Sequence, residues 1–129
     1  LEAVAVIHLD THVVVWMWQK NNRRLSSIKA IINREDLEIS PAVTLELQAL
    51  YEIGRMRHTP NEIVPFLAEA VGLTVAATPF DEIVSHALSF SWTGDPFDRL
   101  IVANALACGV RLLTFDETIL ANYRNTVAR

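Results

Sequence analysis

The chain has 129 residues, 51% of them apolar, and a formal net charge of −4. This length fits one compact domain spanning 1–129, and no apolar run approaches the roughly 18 residues of a membrane-spanning helix. The acidic balance argues against a protein that holds nucleic acid by overall positive charge, although bound divalent cations would reverse the local field.

Val4 to Leu9 is apolar and β-branched, broken only by His8, and reads as a strand buried on both faces, as in a parallel sheet. No basic segment precedes Leu1 to Leu9, so this stretch is taken as a strand and not as a signal peptide. Asp10-Thr11 ends it, and Val13 to Trp18 is assigned to a short helix that Asn21-Asn22 breaks. Trp16 and Trp18 stand two apart and cannot share one helix face, so only one of them is expected in the core. Ser26 or Ser27 is expected to cap a helix over Ile28, Ile31 and Ile32, followed by a short strand at Leu37 to Ile39.

Ser40-Pro41 is a helix-start signature, a hydroxyl N-cap followed by proline at the first helical position. Its helix is expected to run from Ala42 to about Arg55, burying Val43, Leu47, Leu50 and Ile53. Thr59-Pro60-Asn61-Glu62 reads as a capping box for a helix that passes Pro65, where it can bend, and stops at Gly72. Leu73 to Ala77 is a third strand, and Thr78-Pro79-Phe80-Asp81 starts a helix to about Phe90. Asp95-Pro96 begins the last long helix, through Ala107, with Gly109 as its C′ residue. Arg111 to Thr114 is a strand, and a short helix over Ile119 to Tyr123 follows. Strands alternating with helices predict an α/β domain with a mostly parallel sheet and helices on both faces.

In such sheets the ligand crevice lies beyond the carboxyl ends of the strands. Asp10 directly follows the first strand, and Asp116 follows Leu112-Leu113-Thr114. Asp95 and Asp98 open a helix entering from the same edge, because a right-handed crossover carries that helix into the strand before Asp116. Glu46 lies in an apolar helix, flanked by residues that favour burial. Each has an ordinary structural account: Asp95 as N-cap, Asp98 in the first turn, Asp10 and Asp116 as turn caps, Glu46 on a polar helix face. Together they would repel one another and raise one another's pKa values unless a cation neutralises them. Oxygen-only acidic ligands suit Mg²⁺ or Mn²⁺, and a hydrated ion of that kind suggests phosphodiester chemistry.

Other chemistries find less support. The four histidines, His8, His12, His58 and His86, are scattered and read as structural or solvated, and no His/Cys spacing resembles a zinc site. The single cysteine, Cys108, excludes an intrachain disulfide scaffold, favours a reducing, cytoplasmic setting, and is assigned to core packing. The four glycines are ungrouped, so no phosphate-binding loop is present. An aspartate phosphotransfer domain would need a lysine after a late strand, but both lysines, Lys20 and Lys29, come early. A haloacid-dehalogenase-type phosphatase would need Asp-x-Asp, but Thr11-His12 follows Asp10.

Four blocks carry a family resemblance: Leu9-Asp10-Thr11-His12-Val13 with Trp16; Ser40-Pro41-Ala42-Val43-Thr44-Leu45-Glu46-Leu47; Asp95-Pro96-Phe97-Asp98-Arg99-Leu100-Ile101-Val102-Ala103; and Leu112-Leu113-Thr114-Phe115-Asp116. In order and spacing the chain resembles a PIN-domain protein, specifically the VapC-type ribonuclease toxin of bacterial type II toxin–antitoxin pairs. The resemblance implies a three-layer α/β/α sandwich around a central, mostly parallel sheet. It implies a Mg²⁺- or Mn²⁺-dependent endoribonuclease with Asp10, Glu46, Asp98 and Asp116 as catalytic metal ligands. Asp95 then stands behind them, with Thr11 and Thr114 as orienting hydroxyls. Arg99 is free to contact phosphate or to pair with Asp95 or Glu46. RNA is the implied substrate, a cognate antitoxin and a second copy in a homodimer are the implied partners, and the setting is cytoplasmic without membrane attachment. One departure from the family pattern is expected: after Tyr123 the sequence up to Arg129 carries no clear final hydrophobic strand. The competing reading is a PIN-like module that binds RNA or protein without cutting. Loss of one or two carboxylates would be its signature, and the acidic set here is intact.

Overall fold

The computed structural model describes residues 5–127. The elements in chain order are β1 (Val6–Leu9), α1 (Thr11–Trp18), α2 (Asn22–Leu25), α3 (Lys29–Arg34), β2 (Asp36–Ile39), α4 (Pro41–Glu52), α5 (Pro60–Val71), β3 (Thr74–Val75), α6 (Phe80–Ala87), α7 (Pro96–Cys108), β4 (Arg111–Leu113), α8 (Glu117–Asn122) and β5 (Thr126–Val127). The strands form one sheet in the order β3-β2-β1-β4-β5, every neighbouring pair parallel. Ile7, His8 and Leu9 are consecutive and all buried, so both faces of β1 are covered, as the apolar run required.

The chain starts in the middle of the sheet, builds outward through β2 and β3, then returns to the other side of β1 for β4 and β5. The reversal lies between β1 and β4, which makes their carboxyl ends the topological switch point. The core fills both sides of this centre with Leu37, Ile39, Val43, Leu47, Ile63, Ile101, Leu112 and Ile119, all nearly or wholly inaccessible. α6 and α7 pack through Ile83, Ala87 and Ala103, and the two alanines let the helices approach closely.

Several expectations change. The expected strand start at Val4 lies outside the described residues. No serine caps the helix after α2: Ile28 occupies the N-cap of α3 without a side-chain bond, while Asn21 caps α2 by accepting from the Arg24 N–H. α4 ends at Glu52, and Ile53 is 67% exposed instead of buried. α6 stops at Ala87, short of Phe90, and β3 is confined to Thr74–Val75. Cys108 is exposed and not part of the core, because it falls in the last turn of α7 just before Gly109 leaves the helix at φ +67°. The final strand exists: the Thr114 N–H donates to the Val127 carbonyl at 3.0 Å and the Leu112 N–H to the Asn125 carbonyl at 3.0 Å. Two residues held by backbone bonds leave no hydrophobic pattern to read.

Candidate metal centre at the carboxyl edge of the sheet

Four helices begin at the carboxyl edge, and each starts on a capping side chain. Asp10 caps α1, Ser40 caps α4, Asp95 caps α7 and Asp116 caps α8. The Asp10 carboxylate accepts from the Thr11 N–H at 2.8 Å, Asp95 from the Phe97 N–H at 2.8 Å and Asp116 from the Ile119 N–H at 3.0 Å. The capping role is therefore real for three aspartates, and the helix N-termini give partial positive charge where the carboxylates sit.

Capping does not use all the oxygens. Thr114 donates its hydroxyl to the second oxygen of Asp10 at 2.6 Å and itself accepts from the Asp116 N–H at 3.0 Å. One buried hydroxyl thus ties the end of β1 to the end of β4. Thr11 links the other side, donating its hydroxyl to Glu46 of α4. Both hydroxyls are inaccessible to solvent, as is the Asp10 side chain, at 4% exposure. Glu46 and Asp98 are half-buried, and Asp98 projects from the first turn of α7.

These carboxylates lie near enough for their charges to act on one another. Burial raises the Asp98 carboxyl to about 7, with Asp95, Asp10, Asp116 and Glu46 adding repulsion. Burial also raises Asp10, against hydrogen bonds from Thr114 and Thr11 and against the nearby His12 charge. Glu46 is raised by burial too, opposed by the Thr11 hydrogen bond, with Asp10 and Asp95 repelling it. Among the described residues none of these five carboxylates has a lysine, arginine or histidine nitrogen within 4.0 Å. The edge is an all-oxygen donor set without a close ion pair, which fits a hard divalent cation. The set does not converge tightly: among the described residues the one group with three candidate ligand atoms within 4.8 Å of one another lies elsewhere. The wider spacing leaves room for the water ligands that such ions retain.

All eight residues singled out in the sequence lie at or beside this edge, with different roles for the two that were open. Asp95 caps α7 and repels both Asp98 and Glu46. Arg99 pairs with neither Asp95 nor Glu46; its Nε donates to the Thr93 carbonyl at 2.8 Å, fixing the loop before α7. His12, set aside in the sequence as solvated or structural, is exposed and close enough to Asp10 and Glu46 for its charge to act on both. Its position in the first turn after Asp10 was the available signal. Trp16 stacks edge-on against Phe115 at 5.4 Å and lies under the Arg24 guanidinium at 5.2 Å, whereas Trp18 packs on His58 and Phe66; the two face apart, yet both are half-buried against the core, so the expectation of a single core tryptophan does not hold. Trp92 is half-buried against Phe90 at 5.6 Å and serves packing.

A parallel α/β sheet with acidic side chains at its switch point defines the class of protein. The model of the PIN domain family matches residues 7–125, and the chain belongs to that family. It is 35% identical over 120 residues to Ribonuclease VapC22 of Mycobacterium tuberculosis, covering 90% of this chain and 91% of the relative. Among solved structures it resembles VapBC2 from Rickettsia felis, bound to a DNA fragment from its promoter, with TM-score 0.68, 15% identity and 96% and 97% of the two chains covered. It also resembles VapBC-1 from nontypeable Haemophilus influenzae, with TM-score 0.65, 14% identity and 96% of each chain covered. At these identities the structural likenesses establish the fold.

Proposed function

We propose that this chain, as a single PIN domain, is a metal-dependent endoribonuclease toxin that hydrolyses RNA phosphodiester bonds. Asp10, Glu46, Asp98 and Asp116 hold Mg²⁺ or Mn²⁺. The observation that carries this reading is the group of mutually repelling carboxylates at the switch point, with no ion pair within 4.0 Å of any of them among the described residues. The 35% identity to a ribonuclease over most of both chains supports the same activity.

When bound, such an ion supplies an activated water and stabilises charge on the phosphate and on the leaving 3′ oxygen. The chain's own residues prepare that chemistry. Thr114 and Thr11 fix the carboxylates of Asp10 and Glu46, so little reorganisation is needed when the cation arrives. Asp95 holds the α7 entrance and thereby the direction of Asp98. Among the described residues Arg99 makes one side-chain hydrogen bond, through Nε to the Thr93 carbonyl, and its remaining guanidinium nitrogens are the group assigned here to a phosphate. His12 adds a donor at the exposed rim.

The same reading carries a cognate antitoxin and a second copy of the chain as partners, in the cytoplasm. Among the described residues no helix is long and apolar enough to cross a membrane. Leu45 and Phe80, 60% and 66% exposed, border an apolar groove between α4 and α6 of about 370 Å³ that suits a protein contact.

Cleavage of a mixed-sequence RNA by the purified chain, with Mn²⁺ or Mg²⁺ added after chelation, is the direct test. Wild type is expected to cut, EDTA to stop it, and Asp10→Asn to fall by at least about a hundredfold while its circular dichroism stays unchanged. Cutting that survives both EDTA and Asp10→Asn would remove the metal reading. Metal uptake without any cutting would favour the binding-module alternative.

A further inference from the structure

The chain has 15 acidic side chains against 11 lysines and arginines, yet residues 11–34 contain no acid. That stretch makes α1, α2 and α3 and carries Lys20, Arg23, Arg24, Lys29 and Arg34. Of these only Arg34 is in an ion pair among the described residues, with Glu35. Because α1 starts on Asp10, these helices lead directly away from the carboxylate edge. A cationic strip on an otherwise acidic molecule is the footprint of an anionic polymer.

A row of aromatic side chains runs from the acidic edge into this strip. His12, in the first turn of α1, lies 6.4 Å from Trp16, one turn further on. Trp16 meets Phe115, the residue between Thr114 and Asp116, edge-on at 5.4 Å. The Arg24 guanidinium lies over the Trp16 ring, 5.2 Å from its centroid. The backbone bends to bring this about. The chain leaves α1 through Lys20, at φ +54° the one non-glycine residue in the left-handed region among the described residues, a strained conformation for a lysine. The Asn21 N–H then donates to the Trp16 carbonyl at 2.9 Å, and the Asn21 side chain accepts from the Arg24 N–H at 3.2 Å. α2 is thereby turned back onto α1.

A solvated helix end accounts for an exposed arginine, but not for one laid on a half-buried tryptophan without a carboxylate partner. Contact with a π system leaves guanidinium N–H groups to donate to a phosphate. Indole and imidazole rings offer planar surfaces on which bases stack. Trp16 stands six residues along the helix from Asp10, about 9 Å. A strand whose scissile phosphate lies at the carboxylates therefore passes this row within a few nucleotides. Single-stranded RNA brings both phosphates and bases, whereas an acidic peptide brings the charge alone.

We propose that His12, Trp16 and Arg24 form a subsite for the RNA strand flanking the cut, with Arg24 on a phosphate and the two rings under bases. This rests on the endoribonuclease reading and adds to it the path of the strand.

The test is fluorescence anisotropy of a fluorescein-labelled, mixed-sequence single-stranded RNA with the full chain in EDTA, over a range of salt. Arg24→Gln is expected to weaken binding at least about fivefold and to flatten the slope of log affinity against log salt by about 0.7, the loss of one phosphate contact. Trp16→Leu should also weaken binding at least about fivefold. The double variant should lose less than the product of the two, because Trp16 holds Arg24. Arg124→Gln makes the same charge change just before β5, at the opposite edge of the parallel sheet, and should stay within about twofold of wild type. Arg24 is exposed and its variant is expected to fold, with circular dichroism as the control. Wild-type affinity and salt slope in Arg24→Gln would overturn the subsite. Binding of polyglutamate but not of RNA, with the same dependence on Arg24, would overturn it in favour of an acidic protein partner. The endoribonuclease reading fails separately. RNA that binds through Arg24 and is not cut with Mn²⁺ keeps the strand path and removes the cutting, whereas RNA that is bound and cut equally well by Arg24→Gln removes only the strand path.

Discussion

Asp98 is under two opposed demands, and its protonation records both. Its carboxyl is raised to about 7, first by burial and then by Asp95, Asp10, Asp116 and Glu46. A carboxyl whose folded value exceeds its unfolded one favours the folded state while protonated, and that contribution is lost as pH rises through about 7. The metal-free chain is therefore expected to lose stability between about pH 4 and 7. Asp98→Asn should flatten this slope and melt higher than wild type at pH 8, measured by thermal denaturation in EDTA. The same variant should lose at least about a hundredfold in RNA cleavage, so it trades function for stability. In wild type, Mn²⁺ affinity should fall as pH drops below about 7, because a proton competes for the same oxygen. Thr114 makes a related case. Thr114→Val keeps the shape but deletes the bond to Asp10 and the one from Asp116. Calorimetry should show Mn²⁺ affinity reduced roughly 10–100-fold, and unchanged affinity would reduce Thr114 to a packing residue.

At the scale of elements, the helix entrances do two jobs with one set of residues. Asp95 caps α7 through the N–H groups of Phe97 and Asp98 and also repels the Asp98 carboxyl. Two substitutions separate these roles. Asp95→Ser keeps a capping oxygen and removes the charge, so the helix should hold while Asp98 titrates lower. Asp95→Ala removes both, and should cost about 1 kcal/mol of stability in denaturant unfolding. This double use explains what could be read from the sequence. The capping signatures at Ser40-Pro41 and Asp95-Pro96, the apolar β1 and the αL stop at Gly109 are local, and each element appeared where its signature stood. The carboxylate edge was legible because strand ends in a parallel sheet share a side. What stayed hidden depends on contacts between distant segments. β5 is held by backbone bonds to β4, and the exposure of Ile53 and Cys108 follows from where their helices end against neighbours. The Thr114–Asp10 bond joins residues 104 positions apart, and no periodicity reports it.

Across the whole molecule, the arrangement concentrates repulsion at the centre of the sheet, where Ile7 to Leu9 of β1 and Leu112-Leu113 of β4 are buried. The caps and threonine hydroxyls offset part of that cost, and a bound cation would offset the rest. A ligand that binds the folded chain alone adds RT ln(1 + [L]/Kd), about 2.7 kcal/mol at a hundred times Kd. Mn²⁺ added to the chelated protein should therefore raise its melting temperature by several degrees at pH 8, and the rise should grow with the logarithm of concentration. At pH 5 the rise should shrink, because Asp98, raised to about 7, is then protonated. Asp98→Asn should show little rise at either pH. Sodium chloride at equal ionic strength distinguishes screening from binding: the carboxylates are partly buried, so screening alone should recover only a small part of the effect. If salt reproduces the whole rise, the edge is a diffuse negative patch and not a metal centre.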